Sequence, residues 1–232
     1  MTRTRIKICG LTREADVDAA VAAGADAIGF VLYPKSPRFV TPERAGELSR
    51  RLPPMVTPVL LFVNENAMNI AAACACVPSA ALQFHGEESA EACSAEAHAT
   101  GRVFWRAARI PAGDGVGFDL LKFAHTFQAA QAILLDAHVE GYGGGGKTFD
   151  WSRLPPNIPA HVGLSGGLTP ANVGAGIAAL RGRGHSLAVD VSSGVEADGP
   201  DGKPLKGIKD ADKIHAFVRA VRAADAQFSI AP

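Results

Sequence analysis

Two side chains that could transfer protons stand at the ends of short apolar segments. Cys9 ends the segment RIKIC, and Asp136 follows the segment AILL. A thiol is a few per cent ionised near neutral pH and more so beside a cation, so Cys9 could act as a general base. A partly desolvated carboxyl group, or one beside a second carboxylate such as Asp190, can stay protonated and act as a general acid. Each residue also has a structural alternative: Cys9 as a small buried side chain, and the aspartates as caps.

Two turns of small residues follow apolar segments in the last third of the chain. Gly166-Gly167 follows residues 161–165, and Ser192-Ser193-Gly194 follows residues 187–191. Small residues let backbone N–H groups approach an anion closely, and the start of a helix adds partial positive charge. Glycine pairs also make ordinary tight turns, but two such turns at these places favour a phosphate ligand. This indicates a class of ligand and leaves the reaction open.

Arg38 and His85 are the other candidate substrate contacts. Arg38 follows Pro37, which restricts the local backbone, and a guanidinium can bind a carboxylate through two parallel hydrogen bonds. His85 lies between Phe84 and Gly86. Both have alternatives, a solvated loop arginine and a structural histidine. Further polar residues that follow apolar segments are Lys35, Asn64 and Arg106.

The glycine-rich segment 141–148 superficially matches the P-loop spacing GxxxxGK[ST]. A P-loop requires a strand directly before it and a helix directly after it. Here residues 136–140 intervene on one side, and Pro155-Pro156 follows shortly on the other. A glycine loop that closes over a site is the better interpretation.

These candidates are distributed along a chain in which apolar segments alternate with alanine-rich helical patterns. Such alternation predicts parallel strands joined by helices, and the nearly continuous apolar character suits strands covered on both faces. Eight units in 232 residues favour a closed (β/α)8 TIM barrel. The alternative, an open doubly wound sheet, lacks its GxGxxG fingerprint after the first strand. The predicted strands are residues 5–9, 27–32, 56–63, 80–84, 103–107, 132–135, 161–164 and 187–191.

Predicted helices follow each strand except the sixth. The first should begin with Thr12 as its N-cap and the second with Thr41 as its N-cap and Pro42 at its first position. In a barrel of this kind the active site forms at the C-terminal ends of the strands, so the candidate residues should meet around one mouth. The remaining predicted helices are residues 67–76, 89–97, 119–128, 170–180 and 211–224.

Composition narrows the classes of function. The chain has 23 Lys+Arg and 23 Asp+Glu, so its formal net charge of zero argues against a protein that chiefly binds nucleic acid. Its apolar segments are too short for a membrane helix, and the basic N-terminus is not followed by the apolar segment of a secretory signal. The four cysteines show no zinc-site spacing, which predicts free thiols in a cytoplasmic protein. Without an evident linker, residues 1–232 are predicted to form a single domain.

The segments that carry these candidates occur in order from the first predicted strand to the eighth, and together they resemble the phosphoribosylanthranilate isomerase family of tryptophan biosynthesis. Each segment alone is common, but the joint pattern is specific and covers nearly the whole chain. The matching segments are KICGLT (7–12), KSPR (35–38), LQFHG (82–86), LLD (134–136), residues 143–151, LSGGL (164–168) and DVSSGVE (190–196).

The resemblance implies a (β/α)8 barrel that needs neither metal nor organic cofactor. Its reaction would be the Amadori rearrangement of N-(5-phosphoribosyl)anthranilate, a phosphorylated aminoaldose, to the 1-deoxyribulose aminoketose. Cys9 would be the general base and Asp136 the general acid. Arg38 would hold the anthranilate carboxylate, Asp190 would contact sugar hydroxyls, and His85 would lie at the substrate. The phosphate would be bound by Gly166, Gly167, Ser192, Ser193 and Gly194.

Some positions depart from the family pattern, and alternatives remain. Gly145 and Ser165 replace residues that are more common in the family, and residues 197–206 lengthen the loop after the eighth strand. A different phosphate-binding barrel, such as indole-glycerol-phosphate synthase or the histidine-pathway aminoaldose isomerase, is the first alternative. A barrel that binds a phosphorylated ligand without catalysis is the second. A monomer is favoured over a homodimer.

Overall fold

The computed structural model describes residues 3–111, 118–138 and 149–228. Eight parallel strands hydrogen-bond in chain order, and the eighth pairs with the first, so the sheet closes into a barrel. This confirms the predicted (β/α)8 fold. The strands are β1 (Arg5–Cys9), β2 (Ala27–Val31), β3 (Thr57–Phe62), β4 (Ala81–Phe84), β5 (Phe104–Pro111), β6 (Ala132–His138), β7 (Val162–Leu164) and β8 (Leu187–Val191).

Helices cover the outside of the barrel. Several begin as their sequences predict: Pro42 opens the second helix, and the side chain of Thr41 accepts a hydrogen bond from the backbone N–H of Arg44. Where β6 would be followed by a helix, the described residues contain the 3₁₀ turn Trp151–Arg153. The helices are α1 (Glu14–Ala23), α2 (Pro42–Ser49), α3 (Ala67–Cys76), α4 (Ala90–Thr100), α5 (Leu120–Thr126), α6 (Val173–Leu180) and α7 (Ala211–Gln227).

Alternate residues of each strand face opposite sides of the barrel wall. In β1, Ile6 and Ile8 are fully buried in the apolar layer between the strands and the helices. Lys7 and Cys9 therefore point into the barrel, because successive side chains of a strand alternate. The inner face of β1 therefore carries the reactive side chains, and its outer face packs against the helices.

Several boundary predictions were wrong, and three of them change where polar side chains lie. Arg13 rather than Thr12 caps α1, without a side-chain hydrogen bond, and the hydroxyl of Thr12 instead donates to the carbonyl oxygen of Gly207. Strands β5 and β6 both continue several residues past their predicted ends. Their register runs without a break from Trp105 opposite Ala132 to Pro111 opposite His138. Consequently polar residues that were expected after these strands lie within them.

A two-stranded antiparallel sheet after β8 was not predicted. It consists of β9 (Glu196–Asp198) and β10 (Pro204–Lys209), with Lys209 opposite Glu196. It occupies the segment that the sequence analysis treated as a lengthened loop. Its charged residues reach back toward the barrel mouth.

The helices and the glycine-rich segment were also subjects of the sequence predictions. None of the helices in the described ranges is long and apolar enough to cross a membrane. The glycine-rich segment 141–148, interpreted as a closing loop, lies outside the described residues.

Candidate active site

A cavity opens at the C-terminal ends of the strands, where the predicted site residues meet. Its empty volume is about 670 Å³, including the part open to solvent. Cys9, Arg38, His85, Asp136 and Asp190 all contribute to its walls although they come from five separate regions of the chain. The remaining lining residues are Val31, Tyr33, Ser36, Leu61, Val63, Gln83, Ser165, Gly166, Gly167, Leu168, Val191, Ser192 and Ser193.

Cys9 lies beside a buried ion pair. The ammonium of Lys7, two residues earlier on the same face of β1, donates to Oδ1 of Asp190 at 2.8 Å, and both side chains are less than one tenth exposed. Ser165 donates its hydroxyl to the other oxygen of Asp190 at 3.2 Å. Asp190 is therefore already neutralised by Lys7, so it does not supply the unpaired negative charge that was expected beside Asp136.

Burial and charge act against each other on the Cys9 thiol. Burial raises the pKa of Cys9, the Lys7 ammonium lowers it, and the net pKa lies above the ordinary value. Burial lowers the pKa of Lys7, but the negative charges of Asp190 and of an ionised Cys9 raise it by more than burial lowers it. The net pKa lies above the ordinary value, so the ammonium stays protonated. Without a ligand, Cys9 is thus held mainly as a thiol, with a cation next to it.

Gly29 leaves the space that these two side chains occupy. It lies on β2, next to β1, with Cys9 as its partner in the register. A Cβ atom at Gly29 would lie 2.7 Å from the sulfur of Cys9 and 3.0 Å from the ammonium nitrogen of Lys7. Real Cβ atoms do not approach other atoms this closely, so any larger residue at position 29 would displace the thiol.

Asp136 is held by a histidine on the other side of the cavity. Nε2 of His85 lies 2.9 Å from Oδ2 of Asp136, and the side-chain amide of Gln83 lies 3.1 Å from Nδ1 of the same ring. With the Gln83 amide nitrogen donating to Nδ1, the neutral ring carries its proton on Nε2 and donates it to Asp136. His85 therefore orients the carboxyl group of Asp136.

The two small-residue turns differ in what their glycines do. Gly166 and Gly167 both have positive φ angles, 78° and 63°, a conformation that favours glycine. A Cβ at Gly166 would lie 2.8 Å from Oδ1 of Asp136, so this turn also fits around the carboxyl group. Gly194 does not line the cavity within the described residues. A Cβ there would collide with the carbonyl oxygen of Leu168, so Gly194 allows the turns after β7 and β8 to pack together.

Arg38 is paired within the protein. Its Nε and Nη2 donate to the two oxygens of Glu196 at 2.7 and 2.9 Å, and both side chains are buried. Burial opposes ionisation of Glu196, but Arg38 and Lys209 outweigh it and hold the pKa of this carboxyl below its ordinary value. The Nη1–Nη2 edge of the guanidinium is the edge left to face a ligand carboxylate.

Some residues that were expected at the mouth lie elsewhere. Arg106 is in the middle of β5 and faces outward, where it donates to the carbonyl oxygens of Phe84 and Gly86 and lies against the Phe127 ring. Asn64 accepts from the backbone N–H of Glu87 and so shapes the loop after β4. Lys35 is exposed outside the cavity wall.

Four polar residues around the cavity were not predicted to belong to the site: Lys7, Gln83, Glu196 and Lys209. A two-residue period was the available signal for two of them, because Lys7 precedes Cys9 and Gln83 precedes His85 by two positions in otherwise apolar strands. Lys209 gave no local signal. Glu196 ends the matching segment DVSSGVE, but its partners could not be predicted because they depend on a hairpin that was not predicted. In the described ranges, no three His, Cys, Asp or Glu side chains are arranged to hold a metal ion.

Known proteins resemble this chain along nearly the whole barrel. A sequence model of the family described as N-(5'-phosphoribosyl)anthranilate (PRA) isomerase matches residues 6–220. The chain belongs to this family of isomerases. Its function is therefore that of a phosphoribosylanthranilate isomerase in tryptophan biosynthesis.

Individual relatives are similar over almost their entire length. The N-(5'-phosphoribosyl)anthranilate isomerase of Methylibium petroleiphilum is 57% identical over 225 residues, which are 97% of each chain. That of Dechloromonas aromatica is 56% identical over 223 residues, 96% of this chain and 98% of the relative.

Solved structures of this family share the fold. The phosphoribosyl anthranilate isomerase of Thermotoga maritima has a TM-score of 0.81 and 39% identity, covering 95% of this chain and 99% of that one. A phosphoribosyl anthranilate isomerase in complex with reduced 1-(o-carboxyphenylamino)-1-deoxyribulose 5-phosphate has a TM-score of 0.74 and 36% identity, with 95% and 99% coverage.

Proposed function

We propose that the barrel-mouth cavity converts N-(5-phosphoribosyl)anthranilate to 1-(2-carboxyphenylamino)-1-deoxyribulose 5-phosphate, with Asp136 as general acid and Cys9 as general base. The observation that carries this proposal is the placement of a thiol from β1 and a carboxyl group from β6 on the walls of one cavity. The reaction needs an acid at the ring oxygen and a base at the neighbouring C2 hydrogen.

Asp136 acts first. It donates a proton to the ribose ring oxygen as the C1–O bond breaks, and the nitrogen lone pair forms the protonated Schiff base at C1. Nε2 of His85 lies 2.9 Å from the carboxyl oxygen and orients Asp136 for this transfer. His85 is thereby a positioning residue. A proton transfer of this kind typically contributes about 10²–10⁴-fold to the rate.

Cys9 acts second. The protonated imine acidifies the C2 hydrogen, and the Cys9 thiolate removes it to form an enolamine, which tautomerises to the ketone. The Lys7 ammonium supports the thiolate by its charge. C1 is reduced and C2 is oxidised within the same molecule, so the steps balance with no cofactor and no metal.

The rest of the cavity fits the other parts of this substrate. Val31, Leu61 and Val63 form an apolar surface with Cys9 that suits the aromatic ring. The outer edge of Arg38 suits the anthranilate carboxylate. Asp190 remains the candidate for the sugar hydroxyls.

The phosphate belongs at the two turns. Backbone N–H groups at Gly166, Gly167, Ser192 and Ser193 are the proposed donors, because these residues all line the cavity. Gly194 contributes by letting the two turns approach each other. The ligand is thus a small phosphorylated aminoaldose, with no nucleic acid or membrane as partner.

The proposal extends to the organisation of the protein. We propose that the chain forms a single domain and acts as a monomer in the cytoplasm, where the thiols of its four cysteines stay reduced. Size-exclusion chromatography with light scattering would measure the mass. A mass of twice the 24.0 kDa chain would contradict the monomer.

Turnover of freshly prepared phosphoribosylanthranilate, followed by the loss of its fluorescence in the presence of a chelator, tests the chemistry. Cys9→Ala and Asp136→Asn should each lower kcat by about 10² or more. Cys93→Ala is the matched control, because Cys93 is buried in the outer layer on α4, outside the cavity wall. Wild-type turnover in the Cys9 or Asp136 variant would contradict the role of that residue.

A further inference from the structure

The hairpin after β8 places a lysine directly behind the Ser192-Ser193 turn. The side chain of Lys209 is completely buried. Its ammonium donates to the carbonyl oxygen of Ser192 at 2.9 Å and to the hydroxyl of Ser192 at 3.3 Å. Its third contact is Oε1 of Glu196, at 3.3 Å. The mechanism described above gives this buried cation no role.

The contact with the Ser192 carbonyl determines which way the next peptide faces. In a trans peptide the C=O of one residue and the N–H of the next point in opposite directions, and no described peptide is cis. The Ser192 carbonyl points to Lys209, so the N–H of Ser193 points away from Lys209. Ser192 and Ser193 both line the cavity, which makes this N–H a candidate donor to a ligand there. Ser192 itself has φ −128° and ψ −77°, outside the helical and extended regions. The lysine contact stabilises this backbone.

The charge behind the turn is also unbalanced. Glu196 is shared by two cations, since Arg38 holds both of its oxygens and Lys209 holds one of them. Arg38 and Lys209 against Glu196 leave one net positive charge in this buried group. The neighbouring Lys7–Asp190 pair is neutral. An anion at the Ser192-Ser193 turn would therefore be attracted by a charge that it does not touch.

We propose that Lys209 is the positioning residue of the phosphate subsite: it orients the Ser192–Ser193 peptide so that its N–H group binds the substrate phosphate, and it supplies the balancing positive charge from behind. This inference rests on the proposed function and extends it to a residue outside the cavity wall.

Binding of the phosphate should depend on pH through the protonation of Lys209. Burial lowers the pKa of Lys209 and Glu196 only partly offsets this, so the net pKa is about 8. The charged and titratable groups around Lys209 are Cys9 on β1, Asp16 on α1 (which accepts from the Lys209 backbone N–H), Arg38 before α2, and Glu196 on β9. As the pH rises through about 8, the ammonium loses its proton and affinity for the phosphate should fall.

The test uses calorimetric binding of reduced 1-(o-carboxyphenylamino)-1-deoxyribulose 5-phosphate, which cannot react, and of the same compound without its phosphate. Lys209→Met should weaken binding of the phosphorylated compound about 10- to 100-fold and that of the other compound less than about twofold. In turnover assays KM should rise while kcat stays within about threefold. Equal weakening for both compounds would overturn the proposal, because it would indicate general damage to the barrel mouth.

Lys213→Met is the matched control. Lys213 donates to the backbone carbonyl of Glu196 and to Asp198, on the same hairpin, and among the described residues no hydrogen bond joins its ammonium to Ser192 or Ser193. It should bind both compounds as the wild type does. A loss in Lys213→Met as large as that in Lys209→Met would also overturn the proposal.

Lys209→Arg provides the second arm and keeps the test valid if Lys209→Met does not fold. Arginine remains protonated, so binding of the phosphorylated compound should lose its decline above about pH 8. Measurements in the Cys9→Ala background remove the titration of the thiol. A decline that persists in Lys209→Arg would exclude Lys209 as its cause. If the wild type binds neither compound and shows no turnover, it is the proposed function that fails, which these arms distinguish.

Discussion

Replacing Lys7 by methionine should make the Cys9 thiolate much harder to form. An opposite charge within about 4–6 Å changes a pKa by about 1–3, so removal of the ammonium should raise the pKa of Cys9 by about that amount. At a fixed pH below that pKa, the thiolate fraction falls about 10- to 1000-fold. The remaining thiolate is a stronger base, which recovers about half of the loss on a logarithmic scale. The expected fall in kcat/KM near pH 8 is therefore about 3- to 30-fold.

Two measurements check this prediction. The pH profile of kcat/KM between about pH 6 and about pH 10 should show its rising limb displaced to higher pH. The alkylation rate of Cys9 by iodoacetamide, followed by mass spectrometry of the Cys9 peptide, should show the same displacement without substrate. Lys7→Arg keeps the positive charge, so its kcat/KM profile and its alkylation profile should both stay close to those of the wild type. An unchanged alkylation profile in Lys7→Met would refute the argument.

The stability of the same variant must be measured, because Lys7 also neutralises Asp190. Breaking a buried ion pair from one side typically costs about 3–5 kcal/mol. Urea unfolding should show a loss of this size in Lys7→Met and partial recovery in Lys7→Met/Asp190→Asn, which removes the unpaired carboxylate. The double variant still reports the alkylation profile if the single variant is too unstable to purify.

Three other perturbations have defined outcomes. Gly166→Ala places a Cβ 2.5 Å from the backbone nitrogen of Ala137 and 2.8 Å from Oδ1 of Asp136. Because Gly166 is also a proposed phosphate donor, kcat should fall at least tenfold and the affinity for the unreactive product analogue should fall as well; an unchanged kcat would contradict this geometry. Arg38→Ala should raise KM with little change in kcat, and the weakening should vanish for an analogue that lacks the carboxylate. Asp225 accepts hydrogen bonds from Thr4 and Arg181, so Asp225→Asn should cost about 1–3 kcal/mol in urea unfolding near neutral pH. Burial opposes ionisation of Asp225 but these contacts lower its pKa, so its contribution is present above about pH 4 and is lost as the pH falls below that; a cost that stays constant down to low pH would be inconsistent with this.

The barrel itself could be predicted from the sequence. Its strands are short apolar segments with an inward and an outward face, and its helices begin at residues such as Thr41 and Pro42, whose local chemistry determines a helix start. Such signals depend on neighbouring residues only. The boundary errors fell where tertiary pairing extends a strand, as in β5 and β6, whose mutual register continues past the apolar segments.

The positions of Cys9, Asp136 and the two small-residue turns at one mouth were also predictable, because the carboxyl ends of parallel strands must meet once the barrel closes. Membership of the family followed from the same segments. Arg106 shows the limit of this reasoning. A residue that follows an apolar segment can still face the outside of the barrel, since one additional strand residue reverses the direction of a side chain.

Only the tertiary structure decided which charges neutralise each other. Lys7 and Asp190 are 183 positions apart, and Arg38 and Glu196 are 158 apart. Lys209 reaches Ser192 through a hairpin that no local pattern indicated. The sequence gives the type of each side chain. Its pKa and its partners depend on burial and on distances of a few ångströms, and those distances are established only once β8 has paired with β1.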